Sequence, residues 1–447
     1  MNNNRPAFSA TSLLQKYAGA VRSADTLSIR GRVKQVVGLT IESQGPQGAI
    51  GDVCHLIDPQ GNVLCRSEIV GFREDRILSM VLGDVHDIAP GTEILSTGSA
   101  LSIGVGNELL GRVLDGLGNP IDGKGALPSG MTKRSVYAQP PNPLLRKRIQ
   151  EPISTGIRAI DGLLTIGKGQ RVGIFAGSGV GKSTILGMIA RNSSADVNVI
   201  GLVGERGREL REFIERDLGP EGMARSVVVV ATSDQPALVR IKACYVATTI
   251  AEYFRDQNMD VMLMMDSVTR LAMAQREVGL AVGEPPTTRG YTPSVFAMMP
   301  KVMERAGTSS SGTITALYTV LVEGDDMNEP VADTARGILD GHIVLARKLA
   351  ALGHYPPIDI LQSVSRVMKE ITYPEHRRCA LEIQEALATY KEAEDLISIG
   401  AYQKRSNPKI DRAIALYADI TRFLRQDVED TSSLSDTIEQ LMVIARS

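Results

Sequence analysis

The chain has 447 residues, of which 43% are hydrophobic and 22% charged, with a formal net charge of −2. That length suits two or three domains with filled cores, while the near-neutral charge, the absence of tryptophan and an aromatic content of only 4% weigh against nucleic acid as a partner. Four scattered cysteines without CxxC spacing suggest neither a zinc site nor a disulfide framework, and there is no membrane-length apolar run or secretory h-region, so a cytoplasmic protein that meets membranes only through partners is expected.

Residues 1–25 begin with a polar Asn run and then place Leu13, Leu14, Tyr17, Ala18 and Val21 at helical spacing, as a short amphipathic helix does. Such a helix either docks another protein or packs on its own domain, and spacing does not choose between them. Residues 26–96 change to short β-rich runs, such as Ile29 to Val33 and Val36 to Ile41, separated by the turn signals Gln44-Gly45-Pro46, Asp58-Pro59-Gln60-Gly61 and Ala89-Pro90-Gly91. This regular spacing predicts a small β-barrel. His55 and His86 stand far in sequence from any carboxylate pair, which fits packing or surface roles.

A glycine- and proline-rich stretch over 97–144, from Gly116 and Gly118 to Pro143, reads as a linker and entry to the next domain. Residues 145–360 alternate apolar strands with helical patterns, which predicts an α/β core with a parallel sheet. Its expected strands are Arg171 to Phe175, Val197 to Val203, Val227 to Val230, Val261 to Met265 and Thr313 to Leu321. Residues 361–447 carry apolar stripes at three- and four-residue spacing over Ile371 to Leu396, Lys409 to Leu424 and Ser435 to Ile444, a helical C-terminal domain.

The chemistry starts at Ala176-Gly177-Ser178-Gly179-Val180-Gly181-Lys182-Ser183-Thr184, which follows the apolar run Val172 to Phe175 and opens a helical pattern. Small residues between strand and helix let backbone N–H groups wrap a polyphosphate at the positive end of the helix, so this is a phosphate loop of a P-loop NTPase core. Lys182 is placed to reach the β- and γ-phosphates of ATP and the Ser183 hydroxyl to ligate Mg²⁺. Ala176 stands where the usual pattern has glycine. Asp266, directly after an apolar strand, is the candidate second Mg²⁺ residue, acting through the ion's water shell. Glu205, after Val197 to Val203, is either the general base on the attacking water or one charge in a solvated Glu/Arg cluster.

Pro356 to Ser365 is similar to the signature segment of the rotary ATP synthase α/β superfamily, as are the stretches Gly204-Glu205-Arg206 and Glu284 to Tyr291. Tyr318 to Asp333 and Arg336 to Ile343 more narrowly resemble the ATPases of type III protein export, above all their flagellar branch. The resemblance covers nearly all the chain. It implies a homohexameric ring hydrolysing ATP with Mg²⁺ at subunit interfaces, at the cytoplasmic face of the export gate. The implied partners are export-gate membrane proteins, export substrates with their chaperones, and a stator-like regulatory protein on the N-terminal segment. The resemblance further makes Arg366 an arginine finger acting on the neighbour's site and Tyr355 the ring that stacks on adenine. Arg206 and Arg270 become residues near the phosphates, unless they serve only in ion pairs. Injectisome ATPases share these features. A non-catalytic nucleotide-binding subunit typically has Gln at the Glu205 position, a proton-coupled β-like subunit differs around Asp325 to Ile343, and a hexameric RNA translocase would need aromatics that residues 27–96, with Phe72 alone, do not supply.

Overall fold

The computed structural model describes residues 17–18, 29–83 and 88–447, without the side chain of Asp325. Of the amphipathic stretch expected near the N-terminus, only Tyr17 and Ala18 are included, both helical and exposed; the rest of it, and His86, lie outside the described residues. The chain divides into two compact units, residues 1–99 and 100–447.

The first unit is a closed barrel of six strands: β1 (Arg30–Val37), β2 (Thr40–Gln44), β3 (Asp52–Ile57), β4 (Val63–Arg73), β5 (Arg76–Val81) and β6 (Glu93–Ala100). They run in the order β1-β2-β5-β4-β3-β6, and β1 pairs back onto β6. Closure removes free sheet edges. Val33, Ile41, Cys54, Leu56, Ile69, Ile77 and Ile94 form its apolar centre. At Gly31 a Cβ would lie 2.1 Å from the carbonyl carbon of Gly45, so only glycine lets these two segments pass.

The second unit holds a nine-stranded sheet. Its named strands are β7 (Val113–Asp115), β8 (Arg171–Ala176), β9 (Val197–Val203), β10 (Ser226–Ala231), β11 (Asp260–Asp266), β12 (Thr313–Leu321), β13 (Gly341–Leu345) and β14 (Ile358–Ser365), and the two-residue strand Gly307–Thr308 joins β12. The order is β14-β13-β8-β12-β11-β9-β10-β7. The named strands run parallel except β14, which lies antiparallel to β13 at the edge. The sheet is therefore mixed where the sequence pattern suggested a parallel one. Val113–Asp115, inside the glycine- and proline-rich stretch, pairs with β10.

Every residue of β9 and β10 is buried, as expected of central strands covered on both faces. Helix α1 (Lys182–Asn192) follows β8, and α2 (Ala237–Asp256) lies against β9 and β11. Helices α3 (Val268–Val282) and α4 (Pro293–Met303) come between β11 and β12. Arg305, just past α4, is fully buried: it pairs with Glu252 of α2 at 2.6 Å and donates to the Val136 carbonyl at 2.7 Å. The last helices, α5 (Pro374–Ser398), α6 (Pro408–Leu424) and α7 (Leu434–Arg446), pack on one another, and Ile383, Leu416, Ile420 and Leu441 join the core cluster that also holds Ile160 and Leu163.

Candidate active site

Strand β8 delivers the phosphate loop at the end of the sheet where parallel-sheet ligands bind. Gly179 and Gly181 have φ of 78° and 90°, a left-handed backbone open to glycine and strained for other residues. Ala176, where glycine is usual, is the buried last residue of β8 and is not among the positive-φ positions, which is why a methyl group fits there. Gly181 caps α1, so the N–H groups of Lys182, Ser183 and Thr184, in the first turn, have no carbonyl partner within the helix and are open to an anion at the loop.

Asp266 ends β11 and is almost wholly buried, and its peptide bond to Ser267 is cis. Its Oδ1 accepts from Lys182 Nζ, and also from the Thr319 hydroxyl at 2.7 Å. Thr319 lies beside Asp266 because β12 runs parallel to β11 with Met265 opposite Tyr318. Among the described residues Oδ2 receives no hydrogen bond. Lys182 Nζ also stands 3.3 Å from Glu205 Oε1. Glu205 gets there because β9 ends at Val203 and Gly204 turns the chain at φ 71°. The loop lysine is thus held by two carboxylates.

These three charges shape one another. Burial works against the Lys182 charge, but the Asp266 and Glu205 carboxylates outweigh it and hold the ammonium above its ordinary value. Burial pushes the Glu205 carboxyl up; Lys182 pulls it back and Asp266 adds to the rise. A carboxyl raised in this way suits a base working near neutral pH.

A cleft of about 760 Å³ opens over this centre, lined by the phosphate loop from Gly177 to Thr184 except Val180, and by Glu205, Arg206, Arg270, Arg276 and Arg289. Val180 is buried beneath the loop. Arg206 is exposed and pairs with Glu209 at 3.2 Å. Arg270 packs along Gly204, where a Cβ would meet it at 3.0 Å, and its buried Nε has no hydrogen-bond partner among the described residues. Arg276 lies over the Tyr291 ring, 5.3 Å from its centre.

Ala176, Val180 and Asp266 lie just under the surface of this cleft, whereas Tyr355 and Arg366, also named from the sequence, are not part of its lining. Tyr355 is half-exposed, with its carbonyl accepting from the Gln426 N–H at 2.9 Å. Arg366 is exposed beyond the end of β14; its backbone N–H donates to the Asp340 carbonyl at 3.0 Å, and among the described residues its guanidinium donates to the Arg336 carbonyl alone, at 3.3 Å. Sequence reasoning missed Thr319 and Arg347. The guanidinium of Arg347 lies against Gly177, where a Cβ would stand 2.4 Å from Nη2. Thr319 shares its strand with Thr313, Thr315 and Tyr318, so nothing in the sequence singled it out, and Arg347 carried no signal either.

Comparison with known proteins agrees with this geometry. The description "ATP synthase alpha/beta family, nucleotide-binding domain" matches residues 156–365, its beta-barrel domain matches 33–98, and "T3SS EscN ATPase C-terminal domain" matches 372–443. The flagellum-specific ATP synthase of Bacillus subtilis (strain 168) is 55% identical over 428 residues, covering 96% of this chain and 98% of that protein. The assembled ATPase EscN of the enteropathogenic E. coli type III secretion system superposes with a TM-score of 0.88 at 48% identity, over 93% of this chain and all of that one. EscN assembled with its central stalk EscO gives 0.86 at 47% identity, with 93% of this chain and 100% of that chain covered. With sequence, barrel, nucleotide-binding core and C-terminal helices all matched, the chain belongs to the ATP synthase alpha/beta family and, within it, to the type III protein-export ATPases.

Proposed function

We propose that this ATPase works as a homohexameric ring that hydrolyses Mg²⁺-ATP at its subunit boundaries and serves flagellar type III protein export. The observation that carries the ring is the placement of Arg366. Strand β14 runs antiparallel to β13, so Arg366 emerges at the end of the sheet remote from the phosphate loop, and an arginine finger placed there serves another copy of the chain.

In each site the phosphate loop and α1 bind the polyphosphate, and Lys182 leaves its two carboxylates for the β- and γ-phosphates. Glu205, freed from Lys182, orients the attacking water and takes its proton. Ser183 and Asp266 fit Mg²⁺: Asp266 keeps Oδ2 available, and the described residues contain no cluster of three or more acidic, His or Cys ligands, as suits an ion held through phosphates, water and one or two protein oxygens. When bound, the ion neutralises charge on the phosphates. Arg270 and Arg206 stand ready on the cleft wall, Arg366 of the adjoining copy completes the cationic cage, and Tyr355 stacks on the base.

For partners, the EscN complex with its stalk supports a stalk-type regulator here, and the N-terminal segment is the proposed dock for a stator-like protein. Export-gate membrane proteins, chaperones and unfolded substrates complete the setting, at the cytoplasmic face of the membrane. No helix among the described residues is long and apolar enough to cross a membrane, so attachment through partners is the natural arrangement. The likeness to EscN favours one second reading, an injectisome ATPase; deleting the gene in its host and finding flagella intact would select it.

The ring itself is tested by specific ATPase activity against protein concentration, with mass photometry in parallel. Activity should climb as assemblies form. Monomers with flat, full activity would end the proposal.

A further inference from the structure

One pair of side chains stands out against the rest of the surface. Leu144 is 93% and Leu145 67% exposed, side by side on the short turn Pro143–Leu145. A single exposed leucine is ordinary. Two on a fixed turn are less so, and this turn is fixed on both sides. Before it, the Asn142 side-chain carbonyl accepts from the Leu144 N–H at 3.0 Å. After it, Arg146 is held by the Glu304 and Ala306 carbonyls, the latter at 2.8 Å, and the Lys147 carbonyl accepts from the Thr308 hydroxyl at 2.6 Å.

Those anchors lead to a specific place. Glu304 pairs with Arg171 at 2.5 Å; Arg171 pairs with Asp340 at 3.1 Å; and the Asp340 carbonyl receives the Arg366 N–H. Arg171 begins β8, so the leucine turn is fastened at the same end of the sheet that displays Arg366, away from its own phosphate loop. A face that presents a finger to an adjoining copy is covered by that copy, and apolar groups standing on it are buried with it.

We infer that Leu144 and Leu145 form an apolar knob that seats in the adjoining copy of this chain beside Arg366 and sets the concentration at which the ring assembles. This rests on the ring reading above. Because the turn is already ordered, docking it costs little conformational freedom, which makes it an effective anchor.

The test uses the full chain with both leucines replaced, Leu144→Ser and Leu145→Ser, compared with a Leu144→Met and Leu145→Met version. Mass photometry, sedimentation velocity and specific activity are followed against concentration. The serine variant should melt with the wild type, because these side chains are exposed in the monomer. It should need at least tenfold more protein to assemble, and reach the wild-type plateau once assembled; the methionine version should follow the wild type. A serine variant that assembles at the wild-type concentration overturns the knob while the ring stands, as does one that assembles normally but loses its plateau activity. A wild type that stays monomeric with flat activity overturns the ring reading itself, and the knob with it.

Discussion

Lys182 and Arg366 lie at opposite ends of one sheet. Ala176, the last residue before the phosphate loop, is in register with Leu345, which faces Ile358 at the start of β14; Ser365, at the end of β14, faces Gly341 instead. The six residues of β8 alone span roughly 20 Å. An arginine with no carboxylate partner among the described residues is thus carried away from the phosphate-loop lysine of its own chain, and this geometry generates the first prediction.

Replacing Arg366 by Ala should lower kcat by about 10³–10⁵, the usual effect of losing a transition-state arginine, while assembly and nucleotide affinity persist. Mixed in equal amounts with Glu205→Gln, it should regain activity neither has alone, because some boundaries then combine an intact base with an intact finger. A mixture that stays silent would return Arg366 to the surface.

Lys182→Ala and Glu205→Gln should part binding from turnover. The first removes the phosphate cation and leaves two carboxylates facing an anion, so affinity falls steeply. The second retains the cation and removes the base, so ATP binds and persists. Titration with a fluorescent ATP analogue distinguishes them, and equal loss of affinity in both would take Glu205 out of the base role.

Thr319→Val keeps the shape of β12 but strips Asp266 of its 2.7 Å hydrogen bond. Once Lys182 has moved to the phosphate, nothing else among the described residues anchors Oδ1. A lost hydrogen bond to a charged group is worth about 1.5–3 kcal/mol, so the Mg²⁺ concentration needed for nucleotide-dependent fluorescence change should rise roughly 10- to 100-fold. Thr319→Ser should restore it. An unchanged Mg²⁺ requirement would make the hydroxyl a matter of packing alone.

Burial raises the Glu205 carboxyl. A base works deprotonated, so kcat should fall as pH drops through a value above the ordinary glutamate range, where an unperturbed carboxylate would still be charged. If Lys182 moves to the phosphates as proposed, Glu205 loses the stronger of the two cations that lower it, Arg270 being the other, which moves the acid limb of kcat further up. A pH–rate profile from about pH 5 to 8, with circular dichroism to exclude acid unfolding, reads this directly; a limb confined to ordinary carboxylate values would contradict it.

Arg305→Ala should destabilise the fold without touching the site. It strands the buried Glu252 carboxylate and leaves the Val136 carbonyl without its donor, and breaking one side of such a pair costs about 3–5 kcal/mol. The urea midpoint should fall accordingly. Replacing Arg305 by Met and Glu252 by Leu together should cost far less, since no lone charge remains.

What the sequence disclosed follows from how strongly each feature is written locally. Val197 to Val203 and Thr313 to Leu321 were readable to the residue because strands buried on both faces are dominated by apolar and β-branched residues. The phosphate loop was readable because its glycines are required by backbone angles. Val113–Asp115 was hidden among glycines and prolines, and β14 buries only Ile358 and Ile360 and leaves the rest of its length partly or wholly exposed, so neither carried the apolar signature of a central strand. Thr319 and Arg347 became visible only with the register of neighbouring strands. The position of Arg366 relative to Lys182 needed the reversal of one edge strand, which no local pattern encodes.

That reversal also governs what an incomplete assembly can do. A chain that offers its lysine at one end and its arginine at the other is a link with unlike ends, so an open arc always terminates in one copy whose phosphate loop meets no finger and another whose finger meets no loop. Closing the circle removes both idle ends at once. On the proposed finger reading, free copies would bind ATP yet spare it, consumption would begin at the first boundary formed, and closing the circle would add the last one.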